Sequence, residues 1–278
     1  MVAQASLPVS QKQTTGRDGC ATGNMMRWFC FLSTLWIASA CASGQYTTLD
    51  RVHERGVITF GVDPNNLPFS SSTNQPPGFD IEIAQKLAEH LGVSFKPVWV
   101  LSQHPSFPSQ LTKKKCDALM GVLPAALAGE KGIDFTNPYY STGFRMAVPR
   151  HFKQRFLDAR GKTVGIEAGV VAQKLQGHVP REFPNQLAIL QAVDKEEVFA
   201  GYVGAVQAGW LLKNHAELKV RLADGFVPQD RWNVVIAVRK DDPELKSALN
   251  RLIQEMLHQH EFASIFDKYG IPFYPPFE

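Results

Sequence analysis

Apolar and polar positions along the chain follow two periods, that of strands and that of helices. Short apolar runs bounded by turn-forming residues predict strands at 57–62, 93–100, 116–122, 146–150, 163–169 and 234–240. A helix is predicted between the first two strands, with Asp80 as its cap and its end at Gly92. Strand, helix and strand at this spacing predict parallel α/β units with right-handed crossovers.

Two further helices are predicted near the C-terminus. Asp242 is the expected N-cap of the first helix, and apolar side chains recur at helical spacing from Leu245 to Leu257. The second helix is shorter and ends at Gly270, with Pro272 beyond it. Both apolar stripes predict packing into a core rather than a cofactor site.

The N-terminal region predicts export. A basic start at 25–27 precedes an apolar run at 28–37 and the small residues of 38–41 (Ala-Ser-Ala-Cys), which is the pattern of a secretory signal. The apolar run is shorter than the roughly 20 residues that span a bilayer. We predict that residues 1–40 are removed and that the protein works in the periplasm. The run 38–41 also resembles a lipobox, so a lipid anchor at Cys41 is the alternative.

Composition narrows the class of protein. The 278 residues are 44% hydrophobic and 20% charged, which is typical of a globular chain. A net charge of +3 and a basic run of only Lys113–Lys115 do not favour nucleic-acid binding. Cys41 lies at the predicted cut and Cys116 is the only cysteine inside the predicted folded part, so we expect a buried thiol and no internal disulfide.

Motifs of enzymes and metal sites are absent from the sequence. HExxH, GxSxG, GxxxxGK[ST] and GxGxxG do not occur, and His258 and His260 are too close in sequence to share a helix face. The run GVDPNNL at 61–67 lacks the alternating acids and central glycine of a calcium loop. We therefore predict no catalytic residues, no metal and no cofactor.

Polar and aromatic residues do cluster where predicted strands end, which is where ligands bind in α/β sheets. The candidate ligand-binding residues are Asp63, Asn65, Phe69, Phe107, Gly121, Tyr140, Glu167, Gly169 and Gln207. Two of them have an alternative. Asp63 binds ligand or caps its own turn through the Asn65 N–H, and Glu167 binds ligand or caps a helix that begins near Val170.

Several segments, taken in order, resemble the type II periplasmic solute-binding proteins of family 3, the amino-acid-binding kind. The segments are 61–70 (GVDPNNLPFS), 76–92, 116–121, 133–148, 159–169 and 234–253, and the resemblance covers 46–274. It implies an α/β Venus-flytrap fold of two lobes joined by two crossing strands, 146–151 and 233–240, with a solute in the cleft and closure by a hinge motion. Lobe 1 would be 46–147 with 235–278, and lobe 2 would be 148–234.

The chain departs from the family at both positions that hold an amino acid. The family's arginine for the ligand carboxylate is expected near Lys131, and a lysine lacks the planar fork of arginine. The family's aspartate for the ligand ammonium corresponds to Gly204. An amino acid would lose two charge-assisted contacts, each worth about 1.5–3 kcal/mol. We predict that the protein is not an ordinary amino-acid receptor.

A subgroup resembles the chain more closely. The runs 63–70, 116–122, 136–144, 208–210 and 268–272 are similar to binding proteins associated with PQQ-dependent quinoprotein alcohol dehydrogenases, including those of methanol oxidation. This implies a monomeric periplasmic partner of such a dehydrogenase or its cytochrome c. The subgroup's WGP-like run is replaced by 204–206 (Gly-Ala-Val), and its arginines are absent near 103–107.

Three other hypotheses remain open. The first is an ABC-transporter receptor for a small solute other than an amino acid, with an ABC permease as partner. The second is an enzyme on the same fold, similar to cyclohexadienyl dehydratase, with Glu167 as general acid. The third is an adaptor protein whose cleft is vestigial.

Overall fold

The structure is a computed structural model that describes residues 46–153, 160–170, 177–227 and 230–277. The predicted signal, the alternative anchor at Cys41 and most of the helix expected from Val170 lie outside these ranges. Within them, no helix has both the length and the apolar character needed to cross a membrane.

Strands and helices alternate through the described residues, as the apolar pattern predicts. The strands are β1 (Val57–Val62), β2 (Asn65–Asn66), β3 (Ser70–Ser71), β4 (Ser94–Trp99), β5 (Ala118–Val122), β6 (Ile133–Phe135), β7 (Tyr140–Pro149), β8 (Thr163–Glu167), β9 (Val179–Phe183), β10 (Ala200–Gly204), β11 (Val220–Leu222) and β12 (Arg231–Arg239). The helices are α1 (Thr48–Arg55), α2 (Phe79–His90), α3 (Phe107–Thr112), α4 (Gln186–Asp194), α5 (Ala205–Asn214), α6 (Pro243–His258) and α7 (Glu261–Lys268).

The main sheet runs in the order β4-β1-β5-β12-β7-β10-β8-β9, with β6 beside β12 and β11 beside β7. β1 is parallel to β4 and β5, and β8 is parallel to β9 and β10. Each parallel set therefore forms the centre of one lobe, and the antiparallel strands β7 and β12 stand between them. We call the lobe around β1 the first lobe and the lobe around β8 the second.

Two long strands carry the chain between the lobes. Residues 140–143 of β7 pair with residues 231–234 of β12. Beyond this pairing β12 continues beside β5 and β6, whereas β7 continues beside β10 and β11. This is the predicted α/β fold of two lobes joined by crossing strands. The predicted lobe boundaries, 147/148 and 234/235, stay a prediction.

Aromatic rings fill the core of the first lobe. Phe79, at the start of α2, is fully buried, and its ring centroid lies 4.5 Å from that of Phe266 on α7 and 5.7 Å from that of Tyr140 on β7. Burying each such ring contributes about 1.5–3 kcal/mol. The second lobe has its own core around Ile189 and Val203. Cys116 is buried at 2% exposure, and burial raises the pKa of its thiol to about 12, so the predicted buried thiol is confirmed.

The predicted cap at Asp80 is wrong, whereas Asp242 does stand at the predicted N-cap position of α6. α2 begins after Gly78 without a side-chain cap, and α6 begins after Asp242, whose side chain makes no capping hydrogen bond. The Asp242 carboxylate lies 2.6 Å from Nε of Arg239, and both side chains are buried. Asp80 accepts a hydrogen bond from the hydroxyl of Tyr139. The Asp80 carboxyl is held by Tyr139, and the Asp242 carboxylate is held by Arg239, three residues before it, and by the hydroxyl of Thr48 on α1, so neither bonds the N–H groups of its own helix.

A segment after α7, which we call the C-terminal strap (271–277), lies across both crossing strands. On β7, the N–H of Ser141 donates to the carbonyl of Tyr274 (2.8 Å), and its hydroxyl donates to the carbonyl of Pro275 (2.8 Å). On β12, the side-chain amide of Asn233 donates to the carbonyl of Phe277 (2.6 Å). The strap therefore ties the two strands together at the junction of the lobes.

The strap also contacts the second lobe through an arginine. The guanidinium of Arg145 lies 5.4 Å from the ring centroid of Tyr274 and 5.9 Å from that of Phe226, and it donates to the Tyr274 hydroxyl. The Tyr274 and Phe226 rings are 4.7 Å apart. A cation placed over aromatic faces is attracted by the ring quadrupole, so these contacts hold the strap against the loop that follows β11.

Candidate binding cleft

A cavity of about 300 Å³ lies between the two lobes, at the carboxyl ends of the parallel strands. The first lobe contributes residues after β1 and at the end of β5, and the second contributes residues at the junction of β10 and α5. The crossing strands supply its remaining wall through residues such as Thr142 and Trp232. This is the expected position of a ligand site in a sheet of this kind, and the volume falls within the range of small-molecule pockets.

Six of the nine predicted residues line this cavity. They are Asp63, Phe69, Phe107, Gly121, Tyr140 and Gln207. Asn65 lies instead on a neighbouring depression that Asp63 and residues 101–105 also line. Glu167 and Gly169 are outside the residues that line the cavity. Whether any of the nine binds ligand stays a prediction.

Asp63 is held by its own loop. One carboxylate oxygen accepts the N–H of Asn65 at 2.9 Å, and the other accepts the N–H and hydroxyl of Ser102 at 2.7 and 2.8 Å. Burial opposes ionisation, but these hydrogen bonds outweigh it and hold the pKa of Asp63 below its usual value. The turn-capping interpretation of Asp63 is confirmed, and the carboxylate also lies at the cavity wall.

Asp80 is a cavity residue that the sequence analysis missed. It lies on the first turn of α2, is 4% exposed, and accepts a hydrogen bond from the Tyr139 hydroxyl at 2.7 Å. Burial raises the pKa of its carboxyl to about 7, although the Tyr139 hydrogen bond acts to lower it. An acid at a helix start predicts capping, and no local signal shows that its partner is Tyr139, which precedes β7.

Gln186 is a second missed residue, and it explains the position of Glu167. Its side-chain amide donates to the Glu167 carboxylate at 3.3 Å, and its carbonyl oxygen accepts the N–H of Gly204 at 3.1 Å. Gln186 and Gly204 both line the cavity. Glu167 therefore orients an amide at the cavity wall instead of lining it. Gly204, where amino-acid receptors of this kind are expected to have an aspartate, presents only backbone.

The aromatic lining comes from both crossing strands, from the segment between β2 and β3, and from the start of α3. Phe69, Phe107 and Tyr140 were predicted, whereas Trp232 was not, because it precedes the apolar run from which the last strand was predicted. Met120 and Val206 add further apolar surface. The cavity is thus largely apolar, with a few polar groups that can fix the orientation of a ligand.

The charge of the cavity is negative. Among the described residues that line it, Asp63 and Asp80 are the charged types, and there is no arginine, lysine or histidine. Lys131 is exposed and lines a separate depression with Lys114. In the same described part of the chain, no group of three acidic, histidine or cysteine side chains has the arrangement of a metal site.

Residues 58–272 match the bacterial extracellular solute-binding proteins, family 3. The chain belongs to this family. It is 26% identical over 233 residues to the L-cystine-binding protein TcyJ of Escherichia coli (strain K12), covering 80% of this chain and 85% of that protein. It is also 26% identical over 239 residues to the L-arginine-binding protein of Pseudomonas aeruginosa, covering 76% of this chain and 87% of that protein.

Solved structures of this family share the fold. An ancestral cationic amino acid solute-binding protein superposes with a TM-score of 0.64 at 26% identity, covering 80% of this chain and 99% of its own. An ancestral cyclohexadienyl dehydratase superposes with a TM-score of 0.59 at 24% identity, covering 81% of this chain and 96% of its own, and shows the fold alone. The type II periplasmic binding fold is confirmed. The names of the two relatives describe amino-acid receptors and lend no support to a quinoprotein dehydrogenase as partner.

Proposed function

We propose that this family 3 protein is an exported solute receptor whose cleft binds a small solute that carries no carboxylate, and that it is not an ordinary amino-acid receptor. One observation carries the proposal. Of the described residues that line the cavity, the charged types are Asp63 and Asp80, and no cation accompanies them.

The charges at the cavity disfavour the binding of a ligand carboxylate. A ligand carboxylate in this cavity would have no arginine to pair with, which removes about 1.5–3 kcal/mol per charge-assisted bond. The ligand carboxylate would also face Asp63, and the hydrogen bonds that Asp63 accepts favour the ionised form of that side chain. Two like charges about 6 Å apart repel by about 3 kcal/mol at an effective dielectric constant of about 20. Both effects act against an α-amino acid and neither acts against a neutral or cationic solute.

Binding rather than catalysis is supported by the position of Glu167. A dehydratase-like enzyme would need this carboxylate as general acid against the substrate, within hydrogen-bond reach of the reacting group. Glu167 instead lies outside the cavity lining and accepts a hydrogen bond from Gln186. The dehydratase resemblance is one of fold.

Two observations bear on the protein partner of this receptor. An ABC permease is supported by family membership and by a relative named ABC transporter arginine-binding protein 1 of Escherichia coli, 26% identical over 223 residues. A quinoprotein dehydrogenase is supported by the resemblance of runs such as 63–70 and 116–122. Affinity capture on the purified protein, from detergent-solubilised membranes and from periplasmic extract, distinguishes a permease complex from a dehydrogenase. The periplasmic location rests on the predicted signal at 25–41.

Calorimetric titration with matched ligand pairs tests the proposal. L-arginine, L-histidine and L-cystine are each compared with the amine that lacks the carboxylate, which is agmatine, histamine and cystamine. We expect each amine to bind at least as tightly as its amino acid, and we expect no amino acid to bind with micromolar affinity. The Pseudomonas L-arginine-binding protein is the control, in which L-arginine should be preferred. Micromolar binding of any of the three amino acids by this protein would refute the proposal.

A further inference from the structure

A buried carboxyl group lies at the wall of the cleft with one oxygen unused. Oδ1 of Asp80 accepts the Tyr139 hydroxyl at 2.7 Å, and that hydroxyl in turn accepts the N–H of Gly121 at 3.2 Å. Among the described residues, no donor bonds to Oδ2 of Asp80. Asp80 is 4% exposed and is among the residues that line the cavity.

Gly121 is the reason that this oxygen is accessible. A Cβ added at Gly121 would lie 2.7 Å from Oδ2 of Asp80, closer than real Cβ contacts occur. Gly121 also has a φ of +66°, a conformation that favours glycine. Any larger residue at position 121 would cover the carboxyl oxygen. Glycine leaves an opening in the cavity wall, and Oδ2 lies beneath it.

The surroundings of Asp80 leave its charge uncompensated. The titratable groups packed near it are the phenols of Tyr139, Tyr140 and Tyr269, and no lysine, arginine or histidine lines the cavity among the described residues. A buried charge is unfavourable unless it is paired or hydrogen-bonded. The carboxyl therefore needs a proton or a ligand group that donates to it.

We propose that Asp80 determines the specificity of the cleft, and that its Oδ2, reached through the opening at Gly121, accepts an N–H from the ammonium group of a small organic amine. Phe69, Tyr140 and Trp232 line the same cavity and would contact the rest of such a cation. This inference rests on the proposed function, since it takes the cleft to be the solute site. It adds the chemical class of the solute and the residue that selects it.

Four proteins and one set of probes test the inference. The proteins are the wild type, Asp80→Asn, Gly121→Ala and Asp241→Asn, in which an exposed carboxylate outside the cavity is lost as a charge-matched control. The probes are agmatine, histamine and cystamine, titrated by calorimetry. We expect the wild type to bind at least one amine, and Asp80→Asn to bind it about ten- to a hundred-fold more weakly. Asp241→Asn should bind it like the wild type.

Gly121→Ala tests the opening separately from the charge. Its added methyl group covers Oδ2, so we expect a loss of amine binding comparable to that of Asp80→Asn. Circular dichroism shows whether this variant folds; if it does not, Asp80→Asn decides alone. Equal amine affinity in the wild type and Asp80→Asn overturns the inference, as does a wild type that binds none of the three amines. Neither result touches the proposed function, which fails only if an amino acid binds with micromolar affinity.

Discussion

The stability of the protein should depend on pH through Asp80. Burial raises the pKa of this carboxyl in the folded protein to about 7, from an ordinary value of 3.8. Between these pH values the folded state holds a proton that the unfolded chain releases. The folded state then binds more protons than the unfolded state, so stability falls as the pH rises through this window. Below pH 3.8 both states are protonated, and above pH 7 both are ionised.

The size of the effect follows from the two pKa values. A difference of one pKa unit corresponds to about 1.4 kcal/mol, so the step from 3.8 to about 7 corresponds to about 4 kcal/mol of unfolding free energy. Asp80→Asn removes the titrating group and keeps an oxygen that can accept the Tyr139 hydroxyl. Subtracting the variant from the wild type cancels the contributions of other groups that titrate in the same range.

Urea denaturation at intervals between pH 4 and pH 8 measures this difference. We expect the wild type to lose about 4 kcal/mol relative to Asp80→Asn across the range, with most of the change complete by pH 7. Asp241→Asn, which removes an exposed carboxylate, should show no such change relative to the wild type. A difference between wild type and Asp80→Asn that stays constant with pH would refute the assignment of Asp80 as a buried, weakly compensated acid.

Two further predictions concern the junction of the lobes. A Cβ at Gly143 would lie 2.0 Å from the carbonyl oxygen of Asp230, so Gly143→Ala should lower the unfolding free energy by about 3 kcal/mol, as measured by urea titration. The control is Gly129→Ala, whose added Cβ meets no atom within 4 Å. Equal stability of the two variants would contradict the close approach at Gly143. Removal of 274–278 deletes the strap's hydrogen bonds to Ser141 and Asn233 and should lower the melting temperature. The variant Asn233→Ala should show part of this decrease. An unchanged melting temperature of the truncated protein would show that the strap does not stabilise the junction.

Much of the first lobe follows from the sequence because its elements carry strong local patterns. The strand predicted at 57–62 is β1 with the same bounds, and the strand predicted at 93–100 is Ser94–Trp99. The strands of the second lobe have weaker sequence signals. β9 (Val179–Phe183) is mostly exposed, and β10 (Ala200–Gly204) is built largely from small residues, so neither has the apolar alternation that marks a strand. Their pairing with β8 and β7 decides their structure.

Some residues of the candidate site could likewise be predicted from the sequence and others could not. Residues at the end of a recognisable strand or directly after it, such as Gly121 and Asp63, could be predicted because ligand sites form at strand ends. Asp80 and Gln186 could not, because their roles depend on Tyr139 and Gly204, which the fold brings to them from distant positions. Asp80 and Asp242 show the limit most clearly. Both have the sequence signature of a helix cap, but the Asp80 carboxyl accepts from Tyr139 and the Asp242 carboxylate is held by Arg239 and Thr48.

The position of the strap offers a route to an optical sensor. Phe277 is 38% exposed, yet its backbone is bonded to Asn233 on a crossing strand. A dye attached through Phe277→Cys would sit in solvent beside the crossing strands, where the lobe closure expected from the resemblance would alter its surroundings. Cys116, buried with a raised pKa, should take no label once the cysteines of the N-terminal region are replaced. A single fluorophore could then report solute binding before the solute itself is identified.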